Sequence, residues 1–275
     1  VWLAAILSLA LVACSSSKQQ TEGDEQSGQQ AVAEQGASAE DEAAAAGEEA
    51  ARATAERAGS GEGSHAKAHG HDKHAEGHDG PRGHRFTEPE KYADRWNDPA
   101  RDKWQNPSEV MDVLGVEKDM TVVDLGTGTG YFVPHLAKRV GPGGKVLALD
   151  VEEPMVEYVK ERVLDEEMEQ VEARVVAYDD PELAAESVDR VLTVNTWHHI
   201  QDREAYAAKL AKALAPGGAV AVVDYTLDGG HGPPRDHKLA PEKVVEELEA
   251  GGLEAELVEE ELPRQYIVIG KKPAK

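Results

Sequence analysis

Residues 121–132, TVVDLGTGTGYF, run from a strand-like segment into a turn that carries little side chain. The turn places Gly126, Gly128 and Gly130 in a GxGxG spacing. A dinucleotide-binding turn wants GxGxxG, so that a pyrophosphate can approach the backbone and the following helix can pack closely. Here the third glycine of that pattern is replaced by Tyr131, which weakens the pyrophosphate reading. Asp124 lies two residues before Gly126. A carboxylate there repels a phosphate and attracts an ammonium or a sulfonium. The turn therefore reads as a seat for a cationic ligand.

Outward from this turn, MTVVDLG reads as a buried strand and YFVPHLAKRV as a helix, with Phe132, Leu136 and Val140 on one side and Pro134 in its first turn. Strand KVLALD, helix EPMVEYVKERVLDEEM, strands ARVVAYD and VDRVLTVNT, helix DREAYAAKLAKALAPGG and strand AVAVVDY follow in order. Apolar strands alternating with helices predict a parallel sheet covered on both faces. After helix PEKVVEELEAGG, the segments LEAELVEEEL and RQYIVIGKK predict an antiparallel hairpin at the sheet edge. The expected fold is α/β, a Rossmann-like doubly wound sheet of seven strands, mostly parallel with that C-terminal hairpin.

Ligands of such sheets sit at the C-terminal ends of the strands. Asp150 ends the second strand, where a carboxylate accepts hydrogen bonds from ribose hydroxyls. Asp179 or Asp180, after the third, could accept from an adenine amino group. The segments VVDLGTGTGYF, VLALDVEEPMVEYVKER, VDRVLTVNTWHHI and LAPGGAVAVVDY, in that order, resemble the class I S-adenosylmethionine-dependent methyltransferases over about residues 108 to 272. The resemblance implies S-adenosylmethionine as cofactor and methyl transfer as activity. It implies that the turn Gly126 to Gly130 lies against the methionine part, that Asp150 binds the ribose, that Asp179 lies near the adenine and that Asn195 lines the methionine pocket. With Asp124, Thr127 and Tyr131, these form the expected cofactor-binding set. Purely structural roles stay open for each: glycine for tight packing, Asp150 or Asp179 as helix cap or turn former. The segment 85–115 also resembles an N-terminal lid of bacterial methyltransferases. Its Tyr92, Trp96 and Trp104 are expected over the cofactor edge or the acceptor cavity, or else as plain cover for the sheet end.

Methyl transfer from a sulfonium is an in-line displacement, so alignment and exclusion of water come before acid–base help. Where the acceptor is a hydroxyl, thiol or activated carbon, a histidine is the natural proton acceptor. TWHHI places His198 and His199 just beyond the fourth strand, and these are the candidate catalytic residues, His198 first. His231 and His237, with Asp224 and Tyr225 at the end of the fifth strand, could reach the same cavity, and packing or surface roles stay open for all four histidines. Their spacing shows no tight ligand pair, so no metal site is assigned.

The remaining residues read differently. Positions 1–13, VWLAAILSLALVA, are too short for a permanent span and precede Cys14, the sole cysteine, in a pattern that resembles the lipobox of bacterial lipoproteins. The expectation is a signal peptide over 1–14 with a lipid on Cys14, a cell-envelope location and, from Ser15, outer-membrane sorting. Residues 15–84 hold almost nothing to bury and read as a disordered acidic tether, with the folded methyltransferase domain at 85–275. The tether ends in a cluster of His65, His69, His71, His74, His78 and His84, which could bind Zn, Ni or Cu weakly or serve as a solvated spacer. A formal net charge of −24 argues against nucleic-acid partners and leaves a small-molecule acceptor. A non-catalytic cofactor- or metal-binding lipoprotein and, less readily, a nicotinamide oxidoreductase are the alternatives.

Overall fold

In the computed structural model, residues 86–259 and 262–274 are described. The signal-like run, Cys14, the tether and its histidine cluster lie outside them. The first elements are helix α1 (Glu90–Trp96), a 3-10 turn (Pro99–Arg101), the short helix α2 (Asp102–Gln105) and α3 (Pro107–Leu114). Left-handed Asn106 separates α2 from α3, whose first position is Pro107, where the missing N–H leaves no hydrogen bond unmade. Then come β1 (Thr121–Leu125), α4 (Val133–Val140), β2 (Lys145–Asp150), α5 (Glu153–Asp165), β3 (Val171–Val175) and β4 (Val188–Val194). The chain continues through a 3-10 turn (Trp197–His199), α6 (Arg203–Ala213), β5 (Leu214–Tyr225), α7 (Pro241–Ala250), β6 (Glu254–Leu257) and β7 (Gln265–Lys271).

The seven strands form one sheet in the order β3-β2-β1-β4-β5-β7-β6. β1 to β5 are parallel, and β7 lies antiparallel to both β5 and β6. The order reverses at β1, between β2 and β4, which puts the glycine turn at the topological switch point. Alternate strand residues feed two cores. Val122, Val146, Leu192 and Val223 pack with Val110, Leu136, Val140 and Val156 of α3, α4 and α5 on one face. Val123, Leu149, Val191 and Val222 pack with Tyr206, Leu210, Val244 and Leu248 of α6 and α7 on the other. Each such side chain, fully buried, contributes about 1.5–3 kcal/mol relative to exposure.

The expected α/β doubly wound architecture and its antiparallel edge hairpin are present, with four differences at element ends. The helix expected from Tyr131 begins at Val133, because Gly130 at φ 79° ends the turn only just before it. α5 stops at Asp165, where Glu167 turns left-handed and Met168 folds back onto the Val163 carbonyl. The PGG segment after α6 is already extended, and β5 shifts register against β4, from Val188↔Leu214 to Arg190↔Ala219. β3 ends at Val175 instead of reaching Asp179, since Ala177 and Asp180 close a small turn on each other.

Candidate functional site

The glycine turn is held by backbone bonds to the second strand. The N–H groups of Gly126 and Thr127 both donate to the Leu149 carbonyl, at 2.8 and 3.0 Å. The N–H of Gly128 donates to Asp150 Oδ2 at 2.8 Å. All three glycines have positive φ. A Cβ on Gly126 would come within 2.3 Å of the Thr196 side chain, so this position admits no larger residue. Gly128 lies beneath the Trp96 ring, with 3.4 Å between a built Cβ and the indole.

Two buried aspartates flank the turn. Asp150 accepts from Gly128 through one oxygen and from the Glu152 N–H through the other. Burial raises its pKa, and those backbone donors oppose the rise. Asp150 thus ties the glycine turn to the end of β2. Asp124 accepts one hydrogen bond, from the Thr127 hydroxyl at 2.8 Å. With so little compensation, burial pushes its pKa to about 6, against smaller opposing effects of the Thr127 bond and the nearby Arg101 charge. A cation arriving beside Asp124 would favour its ionised form.

The segment before β1 lies over this turn. The Asn97 amide donates to the Thr129 carbonyl and its oxygen accepts from the Thr129 hydroxyl. Arg101 and Asp102 both engage Tyr131. Asp102 accepts from the Tyr131 hydroxyl at 2.5 Å, and Arg101 sits 4.0 Å over the Tyr131 ring. Burial, reinforced by the Asp102 bond, raises the Tyr131 pKa, so the phenol stays neutral and its hydroxyl is committed to the lid. Tyr92 and Trp96 stack at 4.6 Å, with Phe86 edge-on to both and 6.3 Å from the His199 ring. Trp104 stands apart from this group, between the guanidinium groups of Arg101 and Arg264.

His198 is buried on the 3-10 turn after β4. Its Nδ1 lies 2.8 and 3.0 Å from the two oxygens of Asp224, which is fully buried at the end of β5. An ionised carboxylate only accepts, so Nδ1 carries the hydrogen in that pairing, and in a neutral imidazole Nε2 then keeps its lone pair. Asp224 was noticed in the sequence only as a neighbour of the histidines, whereas the geometry makes it the partner of one. His199 is exposed, its ring 4.2 Å from that of His198. His231 and His237 are half-buried in the loop after β5, and His237 faces Asp236.

Asp179 lies on the surface beyond β3. Its side chain is 90% exposed and faces Lys209 of α6, whose ammonium also bonds the Asp179 carbonyl. The early end of β3 causes this: the turn closed by Ala177 and Asp180 swings Asp179 outward. Tyr178, one residue earlier, donates to Glu152 beside Asp150 instead. Asn195, in the left-handed region at φ 55°, follows β4 next to Thr196 and the Gly126 contact. Its oxygen accepts from Gln265, which the sequence did not mark. Among the described residues no group of three or more His, Cys, Asp or Glu could hold a metal ion.

Sheet order and the switch-point glycine turn are those of a Rossmann-like fold, with two carboxylates flanking the turn. Residues 122–218 match the methyltransferase domain family. A SAM dependent methyltransferase from Aquifex aeolicus superposes with a TM-score of 0.62 at 29% identity, over 67% of this chain and 98% of that one. Nocamycin O-methyltransferase from Saccharothrix syringae is 30% identical over 166 residues, 60% of this chain and 57% of that protein. A ubiquinone/menaquinone biosynthesis C-methyltransferase from Hahella chejuensis is 27% identical over 42% of this chain and 47% of its own length. The chain thus spans about half the length of these two curated relatives.

Proposed function

We propose that the protein transfers the methyl group of S-adenosylmethionine to a small or medium organic acceptor bearing an ionisable hydroxyl, thiol or activated carbon. The observation that carries this reading is the buried His198–Asp224 pair, next to a switch-point glycine turn flanked by Asp124 and Asp150. Asp150 would accept from the ribose, and Asp124 would face the positive amino-acid end. In the transfer, the acceptor atom bonds the methyl carbon while the carbon–sulfur bond breaks, and its electron pair stays on sulfur to give S-adenosylhomocysteine. The acceptor's proton passes to His198 Nε2, and Asp224 stabilises the imidazolium that forms. The lid aromatics Phe86, Tyr92 and Trp96 would exclude water from this step. Relatives named for O- and C-methylation fit an acceptor that must lose a proton.

The full chain incubated with S-adenosylmethionine and cell-envelope extract should release S-adenosylhomocysteine. His198→Ala should lower that rate by about 10²–10⁴-fold while leaving binding of S-adenosylhomocysteine intact. Wild-type turnover in the variant would remove His198 from the chemistry, and tight metal uptake with no turnover in the wild type would point to a non-catalytic module. The lipid on Cys14 and an envelope location belong to the same proposal and rest on the sequence alone. Cys14→Ala should release the protein from membranes on fractionation, and an unchanged membrane-bound fraction would contradict the anchor.

A further inference from the structure

A chain of four side chains joins the lid to the end of β4. Arg101 donates through Nε and Nη2 to Gln105 Oε1, at 3.2 and 2.9 Å. The Gln105 amide nitrogen donates to Gln265 Oε1 at 2.6 Å. The Gln265 amide nitrogen donates to Asn195 Oδ1 at 2.7 Å. Gln105 and Gln265 are 0% and 2% exposed, so no solvent replaces a lost partner. A guanidinium can only donate. It therefore fixes which end of the Gln105 amide faces it, and each amide in turn fixes the next. The polarity set at Arg101 arrives at Asn195 with one outcome: the oxygen is consumed by Gln265 and the NH2 group is turned away from it. No hydrogen bond from that NH2 exists among the described residues, and Asn195 is only half-buried beside the Gly126 turn.

We infer that Arg101, Gln105 and Gln265 are positioning residues that lock Asn195 as a hydrogen-bond donor to the carboxylate of the cofactor's amino-acid end. The inference rests on the S-adenosylmethionine reading of the site. Charge complementarity selects the ligand group: the amino-acid end carries an ammonium and a carboxylate, Asp124 faces the cationic part, and the carboxylate needs donors. A freely rotating Asn195 would offer its oxygen as readily as its nitrogen and repel the carboxylate in that state.

The test uses Gln265→Glu and Gln265→Met in the full chain. In Gln265→Glu the new carboxylate still accepts from Gln105 but has nothing to donate, so Asn195 turns its NH2 inward and presents oxygen to the ligand. In Gln265→Met the thioether fills similar space and leaves Asn195 free to rotate. Calorimetry should show S-adenosylhomocysteine binding weakened by about tenfold or more in the first variant and by less in the second. Binding of 5′-methylthioadenosine, which lacks the amino-acid end, should change by less than about twofold in both. Equal losses for the two ligands would mean a merely structural role and overturn the inference, as would no loss for either. A wild-type protein that binds neither nucleoside is a distinct result: it defeats the cofactor reading itself.

Discussion

The two halves of the ligand-facing sheet edge hold their polar side chains by different means. On the β1–β2 side, Asp150 and the glycine turn are fixed by backbone groups: Gly126 and Thr127 on Leu149, Gly128 and Glu152 on Asp150. On the β4–β5–β7 side, side chains hold side chains: His198 on Asp224, Asn195 on Gln265, Trp197 on Glu247, and Glu247 on Arg203. The first half is a preformed cradle, and its shape follows from chain geometry. The second is a set of oriented donors and acceptors, and its chemistry follows from which partner each group has. A cradle suits a ligand shared by many enzymes, and oriented groups suit a reaction particular to one.

The sharpest break of the cradle is Gly126→Ala. A methyl group 2.3 Å from Thr196, on a residue at φ 74°, should destabilise the fold by about 2–6 kcal/mol and abolish nucleoside binding. Gly217→Ala is the control, because its φ is 76° but nothing lies within 4 Å of the added carbon. It should cost only about 1–2 kcal/mol and leave binding unchanged, and thermal unfolding with calorimetry separates the two cases.

In the side-chain half, Glu247→Ala leaves the buried Trp197 N–H and the Arg203 guanidinium without their acceptor. A loss of about 3 kcal/mol in chemical denaturation is expected. A loss below about 1 kcal/mol would show that this half is not held as described.

Asp124 offers a change of opposite sign. Its folded pKa of about 6 stands above the ordinary 3.8, so the fold prefers the protonated carboxyl. Its contribution to stability therefore declines as pH rises from about 4 to about 6 and stays low above that. Asp124→Asn, which keeps an acceptor for Thr127, should raise the unfolding temperature above pH 6 by a few degrees while destroying affinity for a cationic nucleoside. The smallest effect is Asn97→Ala, which removes the lid's two bonds to Thr129 and should lower stability by about 1 kcal/mol, measured by denaturation.

The same division decided what the sequence could reveal. Glycine spacing, apolar strands and strand-end aspartates are local patterns, so the doubly wound sheet and its edge hairpin were legible along residues 121–271, and the glycine turn with Asp124 and Asp150 beside it within 121–150. Gln105 and Gln265 are 160 positions apart and carry no local signature, so their contact was not. Asp224 stood in view, but only the packing of β5 against the turn after β4 shows that it holds His198. The end of β3 was not legible, because an isolated bridge between Ala177 and Asp180 follows Val175 and no periodicity in ARVVAYDD announces such a turn. The lid aromatics were visible as costly to expose, yet their division into a stack over Gly128 and a separate Trp104 beside two arginines follows the 3-10 turn Pro99–Arg101 that parts α1 from α2.

The central claim is that a buried, weakly solvated carboxylate at the switch point selects a cationic sulfur nucleoside. Calorimetric titration of the full chain with S-adenosylmethionine, near pH 7 and again near pH 5, tests it most directly. Saturable binding is expected near pH 7, weakening by about tenfold near pH 5 as Asp124 takes up its proton. No saturable binding at either pH, or affinity for NAD in its place, would contradict it.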